Sequence, residues 1–303
     1  MTERRKLRRE VQSRQSCIPT ALNRAPKAGG ASVAKQTRIH KPQVAQRFRE
    51  LQSSRLTLHR LQPPRPLRDA RATAAFVKER RIVMSTGRSS LPVLAEAIAG
   101  EPIAGSWMAH PAVYRIYRIL GGLSRYNLPA APLILGKETI LDPSLGPAVE
   151  RIAADRERKA RARVQLPPLA RRLLDEVEAR GRVRMDHWGV RTPEARRARL
   201  LLERQLLVVS SSIHTEGGYH TAVVAPWSQG KLSRRFCNDA TRLTLNAAAD
   251  QVLLASVRSA VLVPEREVRR WLIVGAQRVK TLLQEGKLER LPGPGGFWLT
   301  CRQ

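Results

Sequence analysis

The sequence is short of acidic residues, aromatics and cysteine. Against 55 Lys and Arg stand 25 Asp and Glu, giving the 303 residues a formal net charge of +30 and an isoelectric point near 11.6. That balance makes a polyanion the first partner to consider. A GC-rich genome, which raises Arg and Ala usage, would also inflate the total. Aromatics make up 4% of the chain and are scattered. Such a composition argues against a single-strand or RNA binder built on base stacking. Cys17, Cys237 and Cys301 lie far apart with no CxxC pair, which excludes a zinc ribbon or disulfide framework and points to a reducing compartment. No run approaches the roughly 18 apolar residues of a spanning helix, so no membrane partner is expected. The basic N-terminus lacks the apolar core of a secretory signal, and Glu3 and Glu10 speak against a transit peptide. The expected location is cytoplasmic, in association with the nucleoid. P-loop, GxGxxG, HExxH and GxSxG patterns are absent, so no cofactor, metal or catalytic residue is assigned.

What is present divides unevenly. Residues 1–66 hold 16 Lys or Arg against 3 acids, with Gly-Gly and Pro-Pro punctuation, and read as a disordered basic arm ending in a Pro-rich hinge. A short helix at Gln43–Leu51 is compatible with that reading. The whole chain is 42% apolar, enough for a core, and from about Leu67 it reads as globular, with one recurring grammar: helices, a turn-closed hairpin, a break.

The grammar is clearest over 166–240. Pro167-Pro168 opens a helix with Leu169, Leu173, Leu174 and Val177 at helical spacing, and Gly181 stops it. Met185, Trp188 and Val190 lie in a connection. Thr192 caps a second helix with Pro193 in its first turn. That helix buries Ala195, Ala198, Leu201 and Leu202, and presents Arg196, Arg199, Leu200 and Glu203, flanked by Arg197 and Arg204. A hairpin follows, with a Gly217-Gly218 two-residue turn. In that register His214 and His220 point to opposite faces and cannot share a metal, whereas His214, Glu216 and Tyr219 share one face.

Residues 241–303 repeat the pattern, with helices at about 247–259, from Pro264, and at about 274–285. The last of these directs Gln277, Lys280, Thr281 and Gln284 outward, and Pro292–Gly296 forms a hairpin tip. Residues 67–150 are a less regular copy. There Ser90 is a cap, Pro111–Leu120 is a helix, and a Gly136-Lys137 turn closes a hairpin over Leu133–Leu141. Arg151–Arg163 reads as a basic helical linker, within 151–165. The expected fold is mainly α with small β-hairpins (α+β), arranged as tandem winged helix-turn-helix modules behind a disordered basic arm.

The segments SLPVLAEAIAGEPIAGSWMAHP (90–111) and IHTEGGYHTAVVAPW (213–227) resemble stretches of uncharacterised bacterial proteins related to the winged-helix crosslink-repair DNA glycosylases (AlkZ/YcaQ-like). The resemblance implies three winged helices cradling duplex DNA. It also implies a catalytic Gln-x-Gln or Gln-x-Asp motif, which this sequence lacks. The expected function is therefore duplex-DNA binding by a diverged relative. The alternatives are glycosylase action on alkylated or crosslinked DNA, and a regulatory or scaffold role. The expected DNA contacts are Arg196, Arg197, Arg199, Arg204, His214, Glu216, Tyr219, Arg234, Arg235, Gln277, Lys280 and Thr281. The tryptophans are expected to be core or wing anchors. His110, before Pro111, is expected in a helix N-terminal turn.

Overall fold

A computed structural model describes residues 41–188, 192–271 and 276–302. Residues 1–40 of the expected arm, Cys17 among them, lie outside the described residues, as do Val190, Leu272 and Val274. The chain is α+β, and the described residues form helices set around three small antiparallel sheets.

Residues 41–66 of the expected arm are folded. Helix α1 (Lys41–Leu58) is twice the length its composition suggests. Val44, Phe48, Leu51, Gln52, Arg55, Leu56 and His59 fall at helical spacing and are the positions turned away from solvent. Phe48 meets Trp298 edge-on at 5.2 Å, and Arg47 bonds Glu289 at 2.8 Å. Buried His59 lies 3.1 Å from the Ser259 carbonyl. Residues 41–66 therefore do not read as a disordered arm, because this stripe finds cover on the C-terminal hairpin.

The first repeat comprises α2 (Ala70–Arg80), β1 (Ile82–Met84), α3 (Leu94–Ala99), α4 (Val113–Gly122), β2 (Ala130–Ile134) and β3 (Lys137–Leu141). Asp69 caps α2 by accepting from the Ala72 amide. Ser90 does not cap α3, whose N-cap is Val93. Instead the Ser89 and Ser90 hydroxyls and the Ser90 amide donate to Glu267 at 2.7–2.9 Å, tying this loop to the third repeat. The hairpin turn is Leu135-Gly136, one residue earlier than expected; both adopt positive φ, the pairing a two-residue turn requires.

Helices α5 (Gly146–Ala154) and α6 (Arg156–Val164) follow. They correct the expected linker, because α5 is one of the most buried helices in the chain. The Arg158 side chain turns back into the protein. It donates to Ile152 O, Ala153 O and Gln205 O at 2.9, 3.1 and 2.6 Å, so it satisfies carbonyls in the last turn of α5. Burial lowers its pKa to about 10. Glu150, also buried, accepts from Trp227 Nε1 and Ser233 Oγ.

The second repeat comprises α7 (Pro168–Arg180), β4 (Val183–Arg184), α8 (Pro193–Arg204), β5 (Val208–His214) and β6 (His220–Pro226), and α9 (Lys231–Ala240) comes next. Gly181 ends α7 in a left-handed conformation, and Thr192 caps α8 by accepting from the Ala195 amide. The third repeat comprises α10 (Leu245–Ala260), β7 (Val263–Pro264), α11 (Glu265–Val268), α12 (Ala276–Gln284), β8 (Leu288–Gly293) and β9 (Gly296–Cys301).

All three sheets have the same order, with the first strand pairing the third and the third pairing the second. The first and third repeats share one apolar core with α5 and α9, and the second repeat has its own.

Candidate nucleic-acid interface

Helix α8 buries Ala195, Ala198 and Leu202 and leaves Arg196 and Arg197 exposed. Arg197 bonds Glu194 one turn back. Arg199 pairs with Glu203, and their side chains are only 20% and 14% exposed. Arg204 lies over Gly136 and donates to the Arg270 carbonyl at 3.2 Å. The four expected contacts thus separate. Arg196 has no side-chain partner among the described residues, Arg197 holds an exposed acid, Arg199 is paired with a largely covered one, and Arg204 is exposed with a single bond to a backbone carbonyl.

The hairpin beside α8 departs from the expected register. Thr215 N donates to Tyr219 O at 2.7 Å and Gly218 N to Thr215 O at 2.9 Å, closing a three-residue loop, Glu216–Gly218. Gly218 takes the left-handed position such a loop demands (φ 75°). His214 therefore pairs directly with His220, and the two rings lie 4.0 Å apart on one face. The His220 ring also contacts Ser212 Oγ at 3.3 Å. Tyr219 pairs with Thr215 in this register, so it does not join His214 as expected. Among the described residues no cluster of three His, Cys, Asp or Glu is placed to hold a metal ion. Arg196, Arg199, Tyr219 and His220 line a groove of about 380 Å³ between α8 and the hairpin. His214 and Glu216 are exposed on the same hairpin.

On α12, Gln277 and Lys280 are exposed, while the Thr281 hydroxyl donates to the Gln277 carbonyl of its own helix. Arg234 and Arg235 project from α9 into a cleft of about 740 Å³ between the first repeat and the β5–β6 hairpin. Arg235 donates to the Asn127 carbonyl at 2.7 Å and lies over the Phe236 ring. Arg182 and Lys231 also line this cleft, against Glu138. Sequence reasoning missed both, because the fold brings them together from distant positions in the chain, Arg182 after α7 and Lys231 at the start of α9.

A second omission is α4. Ile116 and Ile119 face the core, and Tyr114 and Tyr117 are 86% and 73% exposed. The Tyr-Arg-Ile-Tyr-Arg-Ile run carried this signal, as an amphipathic helix whose outer face is tyrosine and arginine. His110 lies in the turn before this helix, with Nδ1 accepting from the amide of Ala112, the N-cap, at 3.1 Å. Trp188, Trp227 and Trp271 are buried, and Trp107 and Trp298 are half-buried.

No family model and no curated protein matches the chain. Among solved structures it is similar to a Streptomyces sahachiroi DNA glycosylase AlkZ. The identity is 15% and the TM-score 0.40, with 84% of this chain and 69% of that one covered. At that TM-score the likeness is distant and carries no weight for function. Among the described residues no helix is long and apolar enough to cross a membrane.

Proposed function

We propose that the chain binds duplex DNA through three tandem winged-helix modules, 67–150, 166–240 and 241–303, with 151–165 between the first two. One observation carries this reading. The same order occurs three times: a helix, a strand, one helix (second repeat) or two (first and third), then a hairpin whose return strand pairs with that first strand. Each time, the helix just before the hairpin (α4, α8 or α12) has an exposed face bearing basic residues: Arg118, Arg196 or Lys280. In winged helices that position meets the major groove, and the hairpin meets the flanking backbone. Arg196, Arg197, Arg234 and Lys280 are the phosphate and base contacts of this reading. His214, Glu216 and Tyr219 lie on the second wing, and the basic arm adds charge-driven affinity.

Fluorescence-anisotropy titration of a labelled duplex at two salt concentrations tests it. The expected result is tight binding at low salt that weakens steeply as salt rises. Absence of binding at low salt refutes it.

A further inference from the structure

The outer face of α4 differs in chemistry from those of α8 and α12. Gln277, Lys280, Arg196 and Arg197 offer hydrogen-bond donors, the groups that read paired bases from a groove. α4 offers the flat rings of Tyr114 and Tyr117 three residues apart, and so on one side of the helix. A paired base in a duplex hides its π-face against its neighbours, whereas an unpaired base exposes it. Arg118, one turn from Tyr114, has no side-chain partner among the described residues, and Gly121 beyond it leaves open space where a side chain would stand. No acid occurs between Glu101 and Glu138, so a negatively charged chain meets no repulsion along this helix. The surface then runs past Ser124 and Asn127 directly into the cleft that holds Arg182, Lys231 and Arg234.

We infer that α4 is a stacking platform for unpaired bases, with the basic cleft as the path of the attached backbone, so that the preferred ligand is DNA in which unpaired nucleotides adjoin a duplex. This rests on the DNA-binding reading above. It also reverses the expectation drawn from scattered aromatics, because the fold places two of the four tyrosines together in solvent. The occupant is nucleic acid because the face combines exposed rings with uncompensated positive charge, the pairing that single-strand grooves use.

The test compares the full chain's affinity for a short, fully paired duplex with that for the same duplex carrying a bulge that contains 2-aminopurine. Tighter binding of the bulged form is expected, by about 5- to 150-fold for each base that stacks. Quenching of the 2-aminopurine emission on binding is also expected. Tyr114→Ala with Tyr117→Ala should abolish both effects and leave the circular dichroism unchanged. Tyr114→Phe with Tyr117→Phe should retain both. Equal affinity for the two DNAs in the parent protein overturns the platform while leaving duplex binding in place. So does a preference that persists in the alanine variant, which would leave the face to a protein partner. Failure to bind either DNA refutes the underlying reading and the platform with it.

Discussion

The structure divides the arginines of α8 into two open to a phosphate and two engaged by a covered acid or a backbone carbonyl, and salt dependence measures the division. Arg196 is exposed with no side-chain partner among the described residues, and Arg197 is held only by Glu194, itself more than half exposed. A surface pair of that kind contributes about 0–1 kcal/mol, so a phosphate can displace it. Each phosphate contact adds about −0.9 to the slope of log K against log salt. Arg196→Ala with Arg197→Ala should therefore flatten the slope by about 1.8. On raising salt from 50 to 200 mM, the double variant should lose about 12-fold less affinity than the parent does. Arg199→Ala with Arg204→Ala removes the same formal charge from the same helix. It should leave the slope alone and instead lower stability by about 1–3 kcal/mol, because Glu203 and the Arg270 carbonyl lose their partners. Anisotropy titrations at several salt concentrations and urea unfolding of both variants check the two halves. Equal flattening by both double variants would show that only total charge matters and would refute the geometric division. No flattening in the first would remove α8 from the interface.

Other consequences follow from the buried groups. Gly146→Ala would place a Cβ 2.3 Å from the Phe236 ring, so α5 and α9 must separate; a loss of about 1–3 kcal/mol in urea unfolding is expected, and an unchanged midpoint contradicts the packing. Arg158→Met keeps the apolar stem but leaves the Ile152, Ala153 and Gln205 carbonyls without their donor. A loss of about 3 kcal/mol is expected, again by urea unfolding. His59 is kept neutral in the fold by burial, reinforced by Arg55 and Arg80, with its pKa lowered from 6.5 to about 3. The unfolded chain binds that proton first as pH falls. The contribution of His59 is therefore complete above pH 6.5 and is lost at about 1.4 kcal/mol per pH unit between 6.5 and 3. Unfolding free energy should fall by about 2 kcal/mol from pH 7 to pH 5, and His59→Leu should abolish most of that difference.

The parts of the fold legible in the sequence are those fixed by local chemistry. Pro167-Pro168, Gly181, Thr192 and Pro193 bound α7 and α8 where capping and breaking rules place them, because those rules concern neighbouring residues only. What escaped depends on distant partners. The inward stripe of α1 includes Gln52, Arg55 and His59, which read as solvated until Ser259 and the third sheet cover them. The 151–163 segment looked like a charged linker because its arginines are counted before their partners are known. Arg158 satisfies carbonyls, Arg151 donates to Leu243 O, and Arg163 bridges Asp175 and Glu178. The histidine register failed for a different reason. Glu216-Gly217-Gly218 supports either a two-residue turn or a three-residue loop with Gly218 left-handed, and one residue of difference moves His220 to the other face.

The same distinction governs the candidate site. Net charge counts every arginine equally, yet Arg278 is bound to Asp250 and Arg290 to Glu265, so neither is free to hold a polyanion. The usable charge is what the fold leaves without acids, and on the proposed surface it includes Arg118, Arg196, Arg234 and Lys280. Composition misleads about aromatics in the opposite direction. A low total excludes a broad stacking surface, but a platform for one or two bases needs only two rings on one helix turn with no acid beside them. Tyr114 and Tyr117 satisfy that condition because Ile116 and Ile119 claim the inner face of α4 and turn the tyrosines outward. The ligand's chemistry is therefore set by which residues the core leaves over, and not by how many of each type the chain contains.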